Sequence, residues 1–183
     1  IYCLPLELTE EERIEYKKVN NKFVEHKMAL DPDAFQYAKT ALSSPSVSYE
    51  MKAHAAGFYR TIRERKSIVD KAHNKIAKFK DIVYSNLDKK IITFGGLNEF
   101  TDMLAESVSP LAEVYHSKIT TKNKREALRR FKEGEVNVLC STKALNQGFD
   151  IPNANLGIIC GLTSKSLSMI QRVGRLIRYE EGK

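Results

Sequence analysis

The 183-residue chain lacks several features that would fix its chemistry at once. It has no run approaching the roughly 20 apolar residues that cross a bilayer, and no signal-like apolar segment opens it. A membrane or secreted role is therefore not expected, and the expected compartment is the cytoplasm. Its three cysteines, Cys3, Cys140 and Cys160, are an odd number without metal-ligand spacing. Cys140 and Cys160 fall in apolar stretches that read as buried strands, where a thiol behaves as a small reduced hydrophobe. His26, His54, His73 and His116 are scattered and form no ligand cluster, so no metal is expected on this chain alone. No Gly-x-x-x-x-Gly-Lys-Ser/Thr loop is present, and no Asp-Glu pair follows an apolar strand. The backbone cradle for a nucleoside triphosphate and the acidic magnesium ligand are both missing. No aromatic platform of the kind that stacks RNA bases is apparent either.

What is present describes a globular protein. Hydrophobic residues make up 42% and charged residues 29%, and the length allows a full core in one domain, or one domain with an appendage. The net charge of +7 is uneven. Residues 1 to 61 carry 8 Lys and Arg against 9 Asp and Glu, whereas residues 62 to 183 carry 22 against 14. The basic excess lies in the second part, as a polyanion partner would require, although a merely solvated basic surface has the same signature.

Leu4, Leu6 and Leu8 alternate with Pro5, Glu7 and Thr9 and predict a short edge strand. Thr9 and Glu12 have the spacing of a capping box opening a helix with Ile14, Val19 and Phe23 among its apolar positions. Asp31-Pro32 and Ser43-Ser44-Pro45-Ser46 predict breaks around two short helical pieces. From Thr61 to Leu87 a single long helix is predicted, with Ile62, Val69, Ile76 and Val83 recurring every seven residues. Its stripe suits packing on a sheet better than a coiled coil, since Arg65 and Asn86 interrupt the second set of seam positions. Thereafter apolar segments near 91–94, 112–115, 136–140 and 156–160 alternate with helical patterns near 98–107, 121–133 and 166–178. That alternation predicts a parallel sheet flanked by helices. Lys122, Lys124, Arg125, Arg129, Arg130 and Lys132 on the helix near 121–133 read mostly as a solvated face.

Three segments stand at the ends of such strands. Lys89-Lys90-Ile91-Ile92-Thr93-Phe94-Gly95-Gly96 runs into a double glycine that lets a backbone or a phosphate come close. Ser141-Thr142-Lys143-Ala144-Leu145-Asn146-Gln147-Gly148-Phe149-Asp150-Ile151-Pro152 follows an apolar strand with a hydroxyl pair and then Gly-x-Asp-x-Pro. Gln171-Arg172-Val173-Gly174-Arg175-Leu176-Ile177-Arg178 sets Arg175 and Arg178 three residues apart on one helical face, where two planar forks can converge on a phosphate. Ligands of open α/β sheets bind beyond the carboxyl ends of the strands.

In this order the three segments resemble motifs IV, V and VI of superfamily 2 helicases and translocases. Gln171 at the head of the last motif is closer in style to the DNA-repair, phage recombination and restriction-motor branches than to the DEAD-box RNA helicases. The resemblance implies an α/β fold: a RecA-like, P-loop-NTPase-type parallel sheet flanked by helices, with a helical N-terminal extension or insertion. Residues 1–87 would form an edge strand and helical lead-in, and residues 88–183 the C-terminal RecA-like lobe.

The resemblance also implies roles. Arg178 and Arg175 match arginines presented to a γ-phosphate across a cleft. Asp150 matches an acid contacting the ribose, Gly148 leaves room for the nucleotide, and Gln171 orients nucleotide or loop. Ser141 and Thr142 would hold a backbone phosphate of the tracked strand, with Gly95 and Gly96 as a second contact surface and His116 reaching the same groove. ATP and Mg²⁺ would be bound mainly by an N-terminal RecA-like lobe outside this chain, which begins at Ile1 and ends five residues after motif VI. The chain alone is expected to hydrolyse no ATP. The expected partners are that lobe and nucleic acid, DNA ahead of RNA, with no membrane, in a cytoplasmic protein of bacterial or phage type. Two other readings stand beside this one: a non-catalytic RecA-like module that only binds nucleic acid, and a duplex translocase of a restriction or remodelling system.

Overall fold

A computed structural model describes residues 2–30, 33–142 and 154–161. The chain forms two compact units, residues 1–72 and 73–183.

The first unit contains three helices: α1 (Glu10–Ala29), α2 (Ala34–Ser43) and α3 (Tyr49–Asp70). The capping box that opens α1 is complete. Thr9 Oγ1 accepts from the Glu12 N–H, and a Glu12 carboxylate oxygen accepts from the Thr9 N–H at 2.9 Å. Ser48 caps α3 in the same way, through the Met51 N–H. Phe58 is fully buried among Leu30 and a set of small residues, Ala34, Ala38, Ala41 and Ala55. Phe23 stacks on it at 5.3 Å, and Phe35 meets it edge-on at 5.0 Å. The alanines let α2 lie close on α3, and Phe58 supplies the large apolar area.

The second unit begins with α4 (His73–Tyr84) and continues β1 (Ile91–Phe94), α5 (Asn98–Ser107), β2 (Ala112–Tyr115), α6 (Thr121–Glu133), β3 (Val138–Ser141) and β4 (Leu156–Ile159). The four strands form one parallel sheet in the order β2-β3-β1-β4. Phe94 lies beside Ser141 on one side and Ile159 on the other, so the carboxyl ends of β1, β3 and β4 are level. Alternate residues of β1 serve opposite faces. Ile91 joins Phe79, Val83, Phe100 and Leu104 of α4 and α5, while Ile92 and Phe94 join Ala127 and Phe131 of α6. Burial on both faces explains why β1 is apolar at nearly every position. Gly134, at φ +80°, ends α6 in the left-handed conformation that favours glycine.

The expected alternation from residue 91 onwards is therefore found almost residue for residue. The expected helix near 166–178 lies outside the described residues. Two expectations are corrected. Tyr2 to Leu8 is not a strand: no strand among the described residues pairs with it, and Leu4 and Leu6 are exposed. Alternation alone carries no ladder hydrogen bonds. The long helix over 61–87 is instead two, α3 and α4, parted at Lys71-Ala72. The seven-residue repeat spans the break because its members belong to different cores. Ile62 packs on the Phe58 cluster, whereas Ile76, Phe79 and Val83 pack on the sheet face. Val69 between them is exposed. Packing overrode the local helical pattern, and the division into compact units falls between Ala72 and His73.

Candidate functional site

The described part of the site lies at the carboxyl edge, where β3 and β1 end side by side and α5 begins. Ser141 closes β3. It is buried, and its carbonyl accepts from the Gly95 N–H at 2.9 Å, extending the β1–β3 ladder by one residue. Thr142, the next residue, is half-buried. Its Oγ1 donates to Oδ1 of Asn98, the first residue of α5, at 2.7 Å, and lies 3.4 Å from Thr101 Oγ1. Thr101 is fully buried and donates its own hydroxyl hydrogen to the Leu97 carbonyl at 2.8 Å. Leu97 stands at the N-cap and provides no side-chain cap. Thr142 thus rests against the positive end of a helix whose cap residue has no oxygen to offer it.

Both glycines of the Gly95-Gly96 pair are required, and the protein itself uses the space they leave. A Cβ on Gly95 would come 2.5 Å from Thr101 Oγ1 and 3.1 Å from the Thr101 backbone. Gly96 adopts φ +79°, and Gly161, just beyond β4, has no room for a side chain because a Cβ there would lie 2.3 Å from the Gly95 carbonyl oxygen. The Gly95 and Gly96 backbone therefore holds α5 and the β4 end tightly against β1.

His116, expected in the same groove, is buried at the end of β2. Its Nε2 lies 2.7 Å from Asp102 Oδ1, and Nδ1 faces the Lys118 N–H at 3.3 Å. Since the backbone N–H must donate, Nδ1 is the acceptor, and Nε2 carries the hydrogen donated to Asp102. Both ring nitrogens are occupied inside the protein. His116 ties the β2 loop to α5 and has no free nitrogen for a phosphate. Asp102, its partner, was not singled out in the sequence; only an acid one helical turn along α5 from Asn98 hinted at it.

The basic face of α6 is also less available than its sequence suggests. Arg129 is bonded to Glu126 at 2.7 Å and Glu135 at 2.6 Å, and also to Glu133; Arg130 is bonded to Glu113 and, at 3.1 Å, to Glu135. These two cations already have carboxylate partners, which leaves Lys122, Lys124, Arg125 and Lys132 as the remaining positive charges of α6.

The thiols behave as expected of small buried hydrophobes. Burial pushes the Cys140 thiol far up, and that of Cys160 up to about 12, so neither forms a thiolate readily. Among the described residues no group of three or more His, Cys, Asp or Glu is placed to hold a metal, and no helix is long and apolar enough to cross a membrane. One association escaped the sequence reading: His26 and His54, 28 residues apart, face each other with Nδ1 atoms 3.2 Å apart between α1 and α3. Gly148, Asp150, Gln171, Arg175 and Arg178 lie outside the described residues.

The model of the helicase conserved C-terminal domain matches residues 64–180. The chain is 26% identical over 118 residues to the DNA 3'-5' translocase XPB2 of Sulfurisphaera tokodaii, covering 64% of this chain and 26% of that protein. It is 40% identical over 72 residues to the ATP-dependent RNA helicase ROK1 of Meyerozyma guilliermondii, covering 39% of this chain and 13% of that one. The chain thus spans about a quarter or less of the length of these relatives. Among solved structures, the C-terminal part of the Fun30 ATPase domain superposes with a TM-score of 0.64 over the whole of this chain and 81% of that one, at 13% identity, a likeness of fold alone. Parallel sheet, level strand ends and a family match over most of the chain agree: this chain belongs to the helicase conserved C-terminal domain family and has the RecA-like fold of a superfamily 2 helicase or translocase C-terminal lobe.

Proposed function

We propose that the chain is the C-terminal motor lobe of an ATP-dependent DNA helicase or translocase, which grips the nucleic-acid backbone and completes an ATP site built mainly on an N-terminal RecA-like lobe. The observation that carries the reading is the placement of Thr142 at the carboxyl end of β3, half-buried against the first turn of α5. A hydroxyl and main-chain N–H groups beside a helix N-terminus suit a phosphate and read no base sequence. In this reading Ser141 contributes main chain, while Gly95 and Gly96 fix the height of the neighbouring strand end.

On the nucleotide side, Arg178 is the arginine finger and Arg175 its neighbour. Both place positive charge where negative charge gathers on the γ-phosphate oxygens during transfer to water. Gln171 orients the nucleotide or its loop, Asp150 accepts from the ribose, and Gly148 permits the close approach. ATP and Mg²⁺ belong mainly to the other lobe, since this chain has neither a phosphate-binding loop nor an acidic magnesium motif; alone it turns over no ATP. Closure of the lobes brings the arginines to the nucleotide, and reopening shifts the grip at Thr142 along the strand. Glutamine at the head of the third motif and the lack of a base-stacking platform favour DNA, as does the likeness to the DNA translocase of Sulfurisphaera tokodaii. The likeness to the RNA helicase of Meyerozyma guilliermondii points to RNA, so the polymer belongs in the test.

The test is ATP hydrolysis by the full-length protein with single-stranded DNA, duplex DNA and RNA, comparing wild type with Arg178→Ala. The reading expects DNA-stimulated hydrolysis that falls about 10³-fold or more in the variant while DNA binding is kept. Unchanged hydrolysis in the variant, or none in the wild type, would leave a non-catalytic binding module as the better account.

A further inference from the structure

The hydroxyl assigned to phosphate in the proposed function has its only hydrogen committed elsewhere. Thr142 Oγ1 carries one hydrogen, and it is donated to Asn98 Oδ1 at 2.7 Å. Thr101, 3.4 Å away, cannot relieve it, because its own hydrogen is donated to the Leu97 carbonyl. As it stands, Thr142 turns only lone pairs outward, and a phosphate oxygen, itself an acceptor, gains nothing from them.

We propose that Asn98 is a positioning residue for phosphate capture: its carboxamide holds the Thr142 hydroxyl hydrogen while the site is empty and, on turning over, donates from Nδ2 to Thr142 Oγ1 and frees that hydrogen for the phosphate. This rests on the reading of Thr142 as a backbone contact. A carboxamide suits the task because it presents an acceptor and a donor at nearly equal reach, so a half-turn exchanges them without moving the helix. Thr142 then accepts from Asn98 and donates to phosphate, and each hydrogen has one place to go. The location favours the exchange. Asn98 occupies the first position of α5 and is only half-buried, whereas Thr101 is fully buried with its hydroxyl hydrogen donated to the Leu97 carbonyl. The hydroxyl is held in position before the phosphate arrives, so the contact costs little further ordering.

A double-mutant cycle in the full-length protein tests this, with a labelled oligodeoxythymidine as probe and thermal melting as the check on folding. Thr142→Val, which removes the hydroxyl and keeps the shape, is expected to weaken binding about 2- to 10-fold, the range of one hydrogen bond. Asn98→Ala is expected to weaken it by a similar factor in the wild type and to add nothing in the Thr142→Val background. In DNA-stimulated ATP hydrolysis, Asn98→Ala should raise the DNA concentration at half-maximal rate and leave the maximal rate unchanged, a split that general loosening of α5 would not give. Asn98→Ser, whose hydroxyl stops short of Thr142, is the second variant if the alanine protein folds poorly.

Equal loss from Asn98→Ala with and without the Thr142 hydroxyl overturns the proposal, as does no loss in the wild type. Unchanged binding by Thr142→Val removes the phosphate-contact reading itself, and this proposal falls with it.

Discussion

The two units are stabilised in different ways. In residues 73–161 the interior is made of large apolar side chains drawn from distant parts of the chain: Ile91, Ile92 and Phe94 at the centre of the sheet, Phe100 and Leu104 on one face, and Phe131 on the other, all essentially without exposure. In residues 2–72 the core cluster is four alanines, Leu30 and one phenylalanine, while Phe35 stays 63% and Leu42 47% exposed. The helical unit supplements its small core with particular contacts. Arg65 bonds the Tyr16 hydroxyl at 2.9 Å and lies over the Phe23 ring at 4.3 Å, and His26 meets His54. A unit with one dominant core residue is sensitive at that residue; a sheet buried on both faces spreads its stability over many.

The strongest way to break this comparison is Phe58→Ala. Removing the ring that Phe23, Phe35 and Tyr59 all touch should cost about 3–5 kcal/mol. Hydrogen exchange should then lose protection in α1 to α3 while the amides of β1, β3 and β4 keep theirs, since the core clusters share no residue. Equal loss in the sheet would show that the units do not differ as described.

Next in size is Gly161→Ala, on the sheet side. Its new methyl would meet the Gly95 carbonyl oxygen at 2.3 Å, a backbone atom with little freedom to yield, so a cost of about 1–3 kcal/mol is expected from overpacking. The same displacement reaches Gly95 and Gly96, so DNA binding should weaken as well. A protein of unchanged melting temperature and affinity would mean that the strand end is slack.

The sheet core has a flaw, and repairing it sharpens the comparison from the other side. The Thr93 hydroxyl, in the middle of β1, is buried without a hydrogen-bond partner among the described residues. Thr93→Val keeps the shape and removes the unsatisfied group, so stability should rise by about 1 kcal/mol, read from a denaturant midpoint with unchanged slope. A fall would indicate that the hydroxyl is bonded after all.

The smallest effect is pH dependence in the helical unit. Burial first, and then the neighbouring His54, lower the His26 pKa below its ordinary 6.5; Arg60 and Lys22 act in the same direction and Glu25 opposes them. The folded state binds the proton less readily than the unfolded one. The stability tied to neutral His26 is therefore complete above pH 6.5 and is lost as pH falls through that value towards the lowered folded pKa. Melting of the helical unit should shift modestly downward over that window in wild type and less in His26→Gln. A shift of the same size in the variant would assign it to other groups.

Much of the sheet unit was legible because its signals are local and repeated. Four short apolar runs separated by amphipathic helices determine a parallel α/β layout, and the sequence places Thr142, Gly95 and Gly96 just past strands, where the structure has them, while Ser141 closes β3. For His116 the sequence shows a histidine at a strand end but not the Asp102 carboxylate and Lys118 N–H that meet its ring nitrogens. The His26–His54 pair was missed because 28 residues separate its members and no motif joins them. In the same way, α6 shows six cations in a row of turns, while Glu113 and Glu135, which neutralise part of that charge, come from outside the helix.

The sequence alone determined where strands and helices alternate, which cap opens α1, that the basic excess lies in the second part, and which family the motifs resemble. Period, capping and composition are properties of neighbouring residues and need no fold to be read. Only the tertiary structure decided that the seven-residue stripe belongs to two helices with separate cores, that the paired glycines make room for Thr101 and Gly161, and that the Thr142 hydrogen rests on Asn98. Each of those depends on which distant atoms meet within a few ångströms, and that is settled by packing.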